Sequence, residues 1–179
     1  LKRPVGMSSI SRKYQLYSGS NLEIIYDESA TYNLPSFGSS CTVNNVTDLV
    51  GLIEMAKAVG VRANIVLHSD MSDYLALPQD SNIYMTVFSY KIKGIYALNS
   101  KITLTNCRAG FFTNPSEWTG NYFIGLRSSE LYMNVESLPS GYAPNKAFIN
   151  AIGSSIYCDN QTLLNLSNNV FSYSFKSVV

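Results

Sequence analysis

Hydrophobic positions follow a helical period in one segment near residue 50. Four aliphatic side chains there fall on one face of a helix: Leu49, Leu52, Ile53 and Ala56. Asn45 stands before this run as an N-cap and Gly60 follows it as a stop signal. The spacing therefore predicts one amphipathic helix over residues 46–59.

Most of the remaining chain alternates with a period of two. In residues 83–88 one face is aliphatic and the other carries tyrosine, threonine and phenylalanine. Similar short strands are predicted over 22–26, 61–67, 92–98, 101–106, 122–126 and 131–135. Pro144 and Gly153 bound a possible second short helix over 144–152. The spacing of the strands indicates no internal repeat.

Many short strands between polar turns favour a mainly β fold. We expect an antiparallel β-sandwich or jelly-roll-like domain that carries the helix at 46–59. The alternative is an α+β domain in which that helix covers one sheet face. Residues 1–20 are predicted to be an N-terminal arm or linker, and residues 21–179 a single β-rich domain.

Charge argues against nucleic acid as a partner. Lys+Arg number 13 and Asp+Glu number 12, so the net charge is +1, and no basic face is evident. No run approaches the roughly 18 apolar residues of a membrane span, so none is predicted. The chain begins without Met or an apolar leader, and we expect a piece of a larger protein or a processed form.

His68-Ser69-Asp70 is the best catalytic candidate, because it follows a buried strand where open α/β sheets place ligands. His68 is the single histidine of the chain. With Asp70 as its orienting carboxylate and Cys41 or a serine as nucleophile, it could serve a small hydrolase or transferase. No GxSxG elbow accompanies it, so this stays the alternative function.

Metal, cofactor and disulfide chemistry are not predicted. Cys41, Cys107 and Cys158 are widely spaced and odd in number, which favours free thiols, with Cys41 exposed and the other two facing the core. Three carboxylates, Asp70, Asp73 and Asp80, lack the ladder spacing of a calcium loop. Glu117 could pair with Glu130 or Glu136 as in a glycosidase, but no carboxylate lies in a clearly apolar stretch, so this pair is only weakly indicated.

A polar loop around the single tryptophan is the best binding candidate. An aromatic ring can stack on a sugar face while amides and a carboxylate bond the hydroxyl groups. Tyrosines on the predicted strands could extend such a surface. The predicted ligand-binding residues are Trp118, Asn114, Glu117, Asn121, Tyr132 and Tyr84.

Residues 114–125, with Trp118-Thr119-Gly120 at their centre, resemble turns between strands in the receptor-binding C-terminal domains of phage tail fibres and tailspikes. The Ser/Asn/Tyr-rich composition resembles theirs as well. That resemblance implies a homotrimer on a virion that recognises a bacterial surface glycan or protein.

The residues and the resemblance together favour a non-catalytic module for receptor or glycan binding and trimerisation. It would belong to a larger fibre-like protein in a virion or outside the cell. A structural capsid or fibre module, whose aromatic residues only join subunits, is a third possibility.

Overall fold

A computed structural model of the protein describes residues 22–31, 40–107, 122–135 and 147–159. Within these residues the chain forms eleven strands and one helix, α1, at Val46–Ala58. The strands are β1 Leu22–Tyr26, β2 Ser40–Val43, β3 Ala63–Leu67, β4 Leu75–Ala76, β5 Asn82–Phe88, β6 Ile95–Leu98, β7 Lys101–Cys107, β8 Tyr122–Arg127, β9 Glu130–Val135, β10 Ala147–Ile152 and β11 Ser155–Cys158.

From β3 onward the chain alternates between two sheets and winds as a parallel β-solenoid. One sheet has seven strands in the order β11-β9-β7-β5-β3-β1-β2, and the other has four in the order β10-β8-β6-β4. All pairings between these strands are parallel. Each coil contributes one strand to each sheet, so every strand pairs with the same position one coil away.

The expected antiparallel sandwich or jelly roll is therefore wrong, although the mainly β content and the single helix are confirmed. Alternation tells which side of a strand is buried but not which way its neighbour runs. A short turn between two strands suggests a hairpin, because parallel neighbours normally need a long crossover. Here the turn leads into the opposite sheet, and a strand of that sheet forms part of the crossover.

Helix α1 confirms the predicted segment to within one residue at its end. Asn45 caps it by accepting the backbone N–H of Asp48 at 2.8 Å, and Gly60 follows it with φ of 74°. The helix contacts β1, β2, β3 and β4. It thereby continues the layer of the four-stranded sheet beyond β4. The alternative α+β fold placed a helix on a sheet correctly, but that class uses an antiparallel sheet.

Two further expectations are corrected by the solenoid. Residues predicted as a second helix over 144–152 include strand β10, in which Ile149 and Ala151 point into the core. The chain also has an internal repeat, which varying coil lengths hide. Residues 108–121 separate β7 from β8 and residues 136–146 separate β9 from β10 in the sequence, so the strands are unevenly spaced along the chain.

The repeat is clearest at the turn that returns from the four-stranded to the seven-stranded sheet. A residue with left-handed backbone precedes a buried serine in each coil. The pairs are Asp80-Ser81, Asn99-Ser100, Ser128-Ser129 and Gly153-Ser154, with φ of 63°, 47°, 48° and 58° at the first residue. An aliphatic residue follows each serine by two positions and enters the core.

These four serines form a hydrogen-bonded ladder along the solenoid. The backbone N–H groups of Ser81, Ser100 and Ser129 donate to the hydroxyl of the serine one coil further on, at 2.9, 3.0 and 3.0 Å. The hydroxyls of Ser100, Ser129 and Ser154 donate in turn to the carbonyl two residues earlier, at 2.7–3.0 Å. Buried polar groups in this turn are thus paired, which fixes the register of both sheets.

The core lies between the sheets and consists of stacked aliphatic rows. Across the seven-stranded sheet one row is Ala63, Ile83, Ile102, Leu131 and Ile156, and across the other sheet one row is Leu75, Ile95, Ile124 and Ile149. Among the described residues, no helix has the length and apolar character needed to cross a membrane.

Candidate functional site

The predicted ligand-binding residues divide into two groups. Trp118, Asn114, Glu117 and Asn121 lie outside the described residues. Tyr84 and Tyr132 lie on the outer face of the seven-stranded sheet, on β5 and β9, with β7 between them.

Neighbouring side chains along the solenoid cover the ring faces of Tyr132, which is half-buried as a whole. Its ring stacks on Tyr157 with centroids 4.6 Å apart and planes 15° apart, and the ammonium of Lys101 lies 4.8 Å from its centroid. Because β7 and β11 flank β9, these two groups approach from opposite sides. Burial against its neighbours, and then the carboxylate of Glu130, raise the pKa of the Tyr132 hydroxyl. Neither ring face is left for a sugar.

Tyr84 is similarly engaged on the side of β3. The guanidinium of Arg62 lies 5.2 Å from the centre of its ring, and Arg62 Nε donates to Asn64 Oδ1 at 3.0 Å. Such a cation–π contact contributes about 0.5–1 kcal/mol at an exposed site. The outer face of the seven-stranded sheet is therefore occupied by its own side chains near both predicted tyrosines.

The turn at His68 and Asp70 has a structural explanation. His68 is exposed, and its backbone N–H donates to the carbonyl of Tyr26 at 2.8 Å. Asp70 accepts the backbone N–H of Lys91 at 2.9 Å, which joins this turn to the next coil. The neighbouring Glu28 carboxylate accepts the backbone N–H of Ser72 at 2.8 Å.

Cys41 differs from its expected exposed position and is buried, with 4% of its surface accessible. Desolvation, and then the nearby carboxylate of Asp48, raise the pKa of its thiol to about 11. A thiol that holds its proton at neutral pH is a poor nucleophile. Cys158, expected in the core, is half-buried, and the side chain of Cys107 lies outside the described residues.

Carboxylates of the described residues do not gather into a metal site. Asp73 accepts the backbone N–H of Tyr74 at 2.8 Å, and Asp80 accepts the side-chain amide of Asn99 at 2.5 Å. These bonds, like that of Asp70, stabilise separate turns. Glu130 lies on β9, while Glu117 and Glu136, its possible glycosidase partners, lie outside the described residues.

A groove that sequence reasoning missed lies on the outer face of the four-stranded sheet. It has a volume of about 240 Å³, which is below the roughly 300–1,000 Å³ of pockets for drug-sized ligands. Two outward rows line it. The first contains Ala76, Tyr96, Gly125 and Asn150, and the second contains Leu98, Arg127 and Ile152.

Gly125 creates the groove because it carries no side chain at the centre of the first row. Tyr96 on β6 and Asn150 on β10 stand on either side of it, two strand spacings or roughly 10 Å apart. Tyr74 contacts Tyr96 with ring centroids 5.5 Å apart and an interplanar angle of 35°. Since Tyr74 lies on the β4 side, it supports the ring from the side away from Gly125.

Arg127 lies at one end of the groove, two residues beyond Gly125 on the same face. Leu98 and Ile152 flank it on the neighbouring strands and remain 44% and 50% exposed. Exposed aliphatic side chains beside a guanidinium and an amide offer both apolar and hydrogen-bonding contacts to one small ligand.

The repeat provides the signal that could have revealed this groove. Tyr96, Gly125 and Asn150 each stand four residues before a ladder serine, and Leu98, Arg127 and Ile152 each stand two before it. Aligning the coils on the serines would have placed these side chains in adjacent rows.

A second depression, of about 290 Å³, lies near the end of α1. Its charged side chains already have partners in the described structure: Lys57 donates to a backbone carbonyl, Arg62 to Asn64, and Asp80 accepts from Asn99. This depression is therefore a weaker candidate for a ligand site than the groove at Gly125.

Comparisons with protein families, with curated proteins and with solved structures gave no match for this chain.

Proposed function

We propose that this chain is a non-catalytic glycan-binding module, and that the groove at Gly125 is its binding site. The observation that carries the proposal is the placement of Tyr96 beside a position without a side chain. A pyranose ring could lie over Gly125 with its C–H face on the tyrosine. The amide of Asn150 could then accept from and donate to its hydroxyl groups.

The scaffold suits this role because it holds the groove residues in a regular array. Tyr96, Gly125 and Asn150 lie on three paired strands whose register is fixed on one side by the serine ladder. Little conformational entropy would be lost on binding, since the positions of these residues are already set. A site of this size would hold about one sugar residue of a longer glycan.

The hydrolase or transferase alternative has less support. With Cys41 as nucleophile it needs that thiol beside His68, but the Cys41 thiol is buried and protonated while His68 is exposed. We retain the non-catalytic function for that reason.

A glycan array followed by calorimetry on the hits tests the proposal. We expect binding by the parent chain and about tenfold weaker binding by Tyr96→Ala, because ring stacking and apolar burial are lost. Tyr84→Ala is the matched control, since it removes a tyrosine from the opposite sheet. Absence of binding to every glycan, or equal losses in both variants, would refute the proposed site.

The resemblance to phage fibre domains adds a more specific form of the proposal. In that form the module belongs to a homotrimeric fibre or tailspike on a virion, and the glycan lies on a bacterial surface. Light scattering on the chain measures the first part directly. A chain that is monomeric and binds glycans would support the glycan-binding function and contradict the homotrimer.

A further inference from the structure

We infer that the groove at Gly125 binds an acidic saccharide, and that Arg127 pairs with the carboxylate of its sugar. This inference rests on the proposed glycan-binding function and names the class of ligand. Its basis is the charge, the neighbours and the position of Arg127.

The described lining of the groove carries a positive charge. Among the described residues that line it, Arg127 alone is charged, and the others are apolar, aromatic or amide. The outer face of the seven-stranded sheet is different, since Glu130 lies there beside Lys101 in the paired register. An anionic ligand would therefore meet a complementary potential at the groove.

Arg127 also differs from the other arginine on a described sheet face. Arg62 is held by the Tyr84 ring and by Asn64. For the Arg127 guanidinium, no side-chain hydrogen bond, ion pair or ring contact exists within the described part of the chain. The described residues therefore give the Arg127 guanidinium no structural role.

The position of Arg127 fits a sugar carboxylate. It is two residues from Gly125 on the same face, so a ring over Gly125 would place its substituents toward the guanidinium. Leu98 and Ile152 stand on either side of it on the neighbouring strands. A planar guanidinium can bind a carboxylate through two parallel hydrogen bonds, which a lysine cannot reproduce.

The test compares uronic-acid and sialic-acid oligosaccharides with the same oligosaccharides after reduction of their carboxyl groups. We expect the parent chain to bind at least one acidic oligosaccharide about tenfold more tightly than its reduced form. Arg127→Gln should remove that preference, and Arg127→Lys should restore it only in part. Arg62→Gln, a matched change on the opposite sheet, should leave it intact. Circular dichroism spectra of the variants show whether each has folded.

The outcomes separate this inference from the function on which it rests. The parent chain could bind acidic and reduced forms equally, with Tyr96→Ala weakening both. That result would contradict the preference for an acidic ligand and support the glycan site at Gly125. A preference for acid that survives Arg127→Gln would assign the charge recognition to another residue and also overturn the inference. Binding to none of the oligosaccharides or array glycans would remove both.

Discussion

The two outer faces of the solenoid carry tyrosine beside basic residues, but they differ in what stands next to each ring. On the seven-stranded sheet Tyr132 lies between Lys101 and Tyr157, so neighbours cover both faces of the ring. On the four-stranded sheet Tyr96 has Gly125 beside it on the next strand. One face is closed by its own side chains, and the other contains a groove.

This difference shows how a parallel solenoid sets the accessibility of an aromatic ring. Strands lie about 4.8 Å apart, so the ring can be covered by a side chain at the same level of the next coil, like Tyr157, or two residues from that level, like Lys101. What a tyrosine can bind therefore depends on a residue one coil away, which can be 20 or more positions distant in sequence. Three predictions test this comparison, a fourth tests the catalytic alternative, and they run from the largest effect to the smallest.

Ser129→Ala should disturb both faces, because the serine ladder holds the two sheets in register. The variant leaves the Ser100 N–H and the Arg127 carbonyl without their partner hydroxyl, at 3.0 and 2.7 Å in the parent. We expect the free energy of unfolding to fall by about 2–4 kcal/mol, measured by urea denaturation.

Ser155→Ala is the control for the ladder. Ser155 is the next residue after a ladder serine and is half-buried. Its loss should change the unfolding free energy by no more than about 0.5 kcal/mol. Equal effects of the two alanine variants would show that the ladder does not determine the register.

Gly125→Val should close the groove and leave the fold intact. The backbone at Gly125 is in a regular strand without positive φ, so a β-branched residue fits it. Side-chain bulk between Tyr96 and Asn150 should weaken glycan binding about tenfold or more. Thr103→Val, on the seven-stranded sheet between Tyr84 and Tyr132, should have no such effect. Unchanged binding by Gly125→Val would place the glycan site elsewhere.

Tyr132→Ala should show the opposite behaviour from Tyr96→Ala. It removes a stacked ring pair and a cation–π contact, so the urea concentration at the midpoint of unfolding should fall. Glycan affinity should stay unchanged, because both faces of this ring are already covered. A loss of affinity without a loss of stability would make the seven-stranded face the binding surface instead.

The smallest effect concerns Cys41, a buried thiol on β2, and tests the catalytic alternative. Its thiol has a pKa of about 11, against an ordinary value of 9.0. The unfolded chain therefore loses this proton first as pH rises. The contribution of the Cys41 thiol to the free energy of unfolding is therefore fully present below pH 9.0 and declines as the pH rises toward about 11.

Denaturation of the parent and of Cys41→Ala at pH about 8 and about 10 measures this contribution. We expect the stability difference between the two chains to shrink at the higher pH. A difference that grows with pH would mean a thiolate stabilised by the fold, and would revive Cys41 as a nucleophile.

Local patterns determined local structure. The helix predicted at 46–59 is confirmed to within one residue, and its Asn45 cap and the alternation of buried and half-buried side chains in residues 83–87 are confirmed as well. Each of these features depends on residues within a few positions of one another, where spacing and capping chemistry act directly. The fold class and the groove could not be predicted in this way, because both depend on which strands become neighbours.

The sequence by itself determined seven of the eleven described strands with their apolar sides, and the position of α1 to within one residue. Only the tertiary structure decided that the strands run parallel in two sheets, and that Tyr96, Gly125 and Asn150 stand side by side. The physical reason is that a period of two fixes orientation along one strand, whereas pairing depends on the winding of the whole chain. The ladder serines recur once in each coil, but the coils differ in length, so the serines are unevenly spaced in the sequence. Their hydrogen bonds in the structure reveal the repeat.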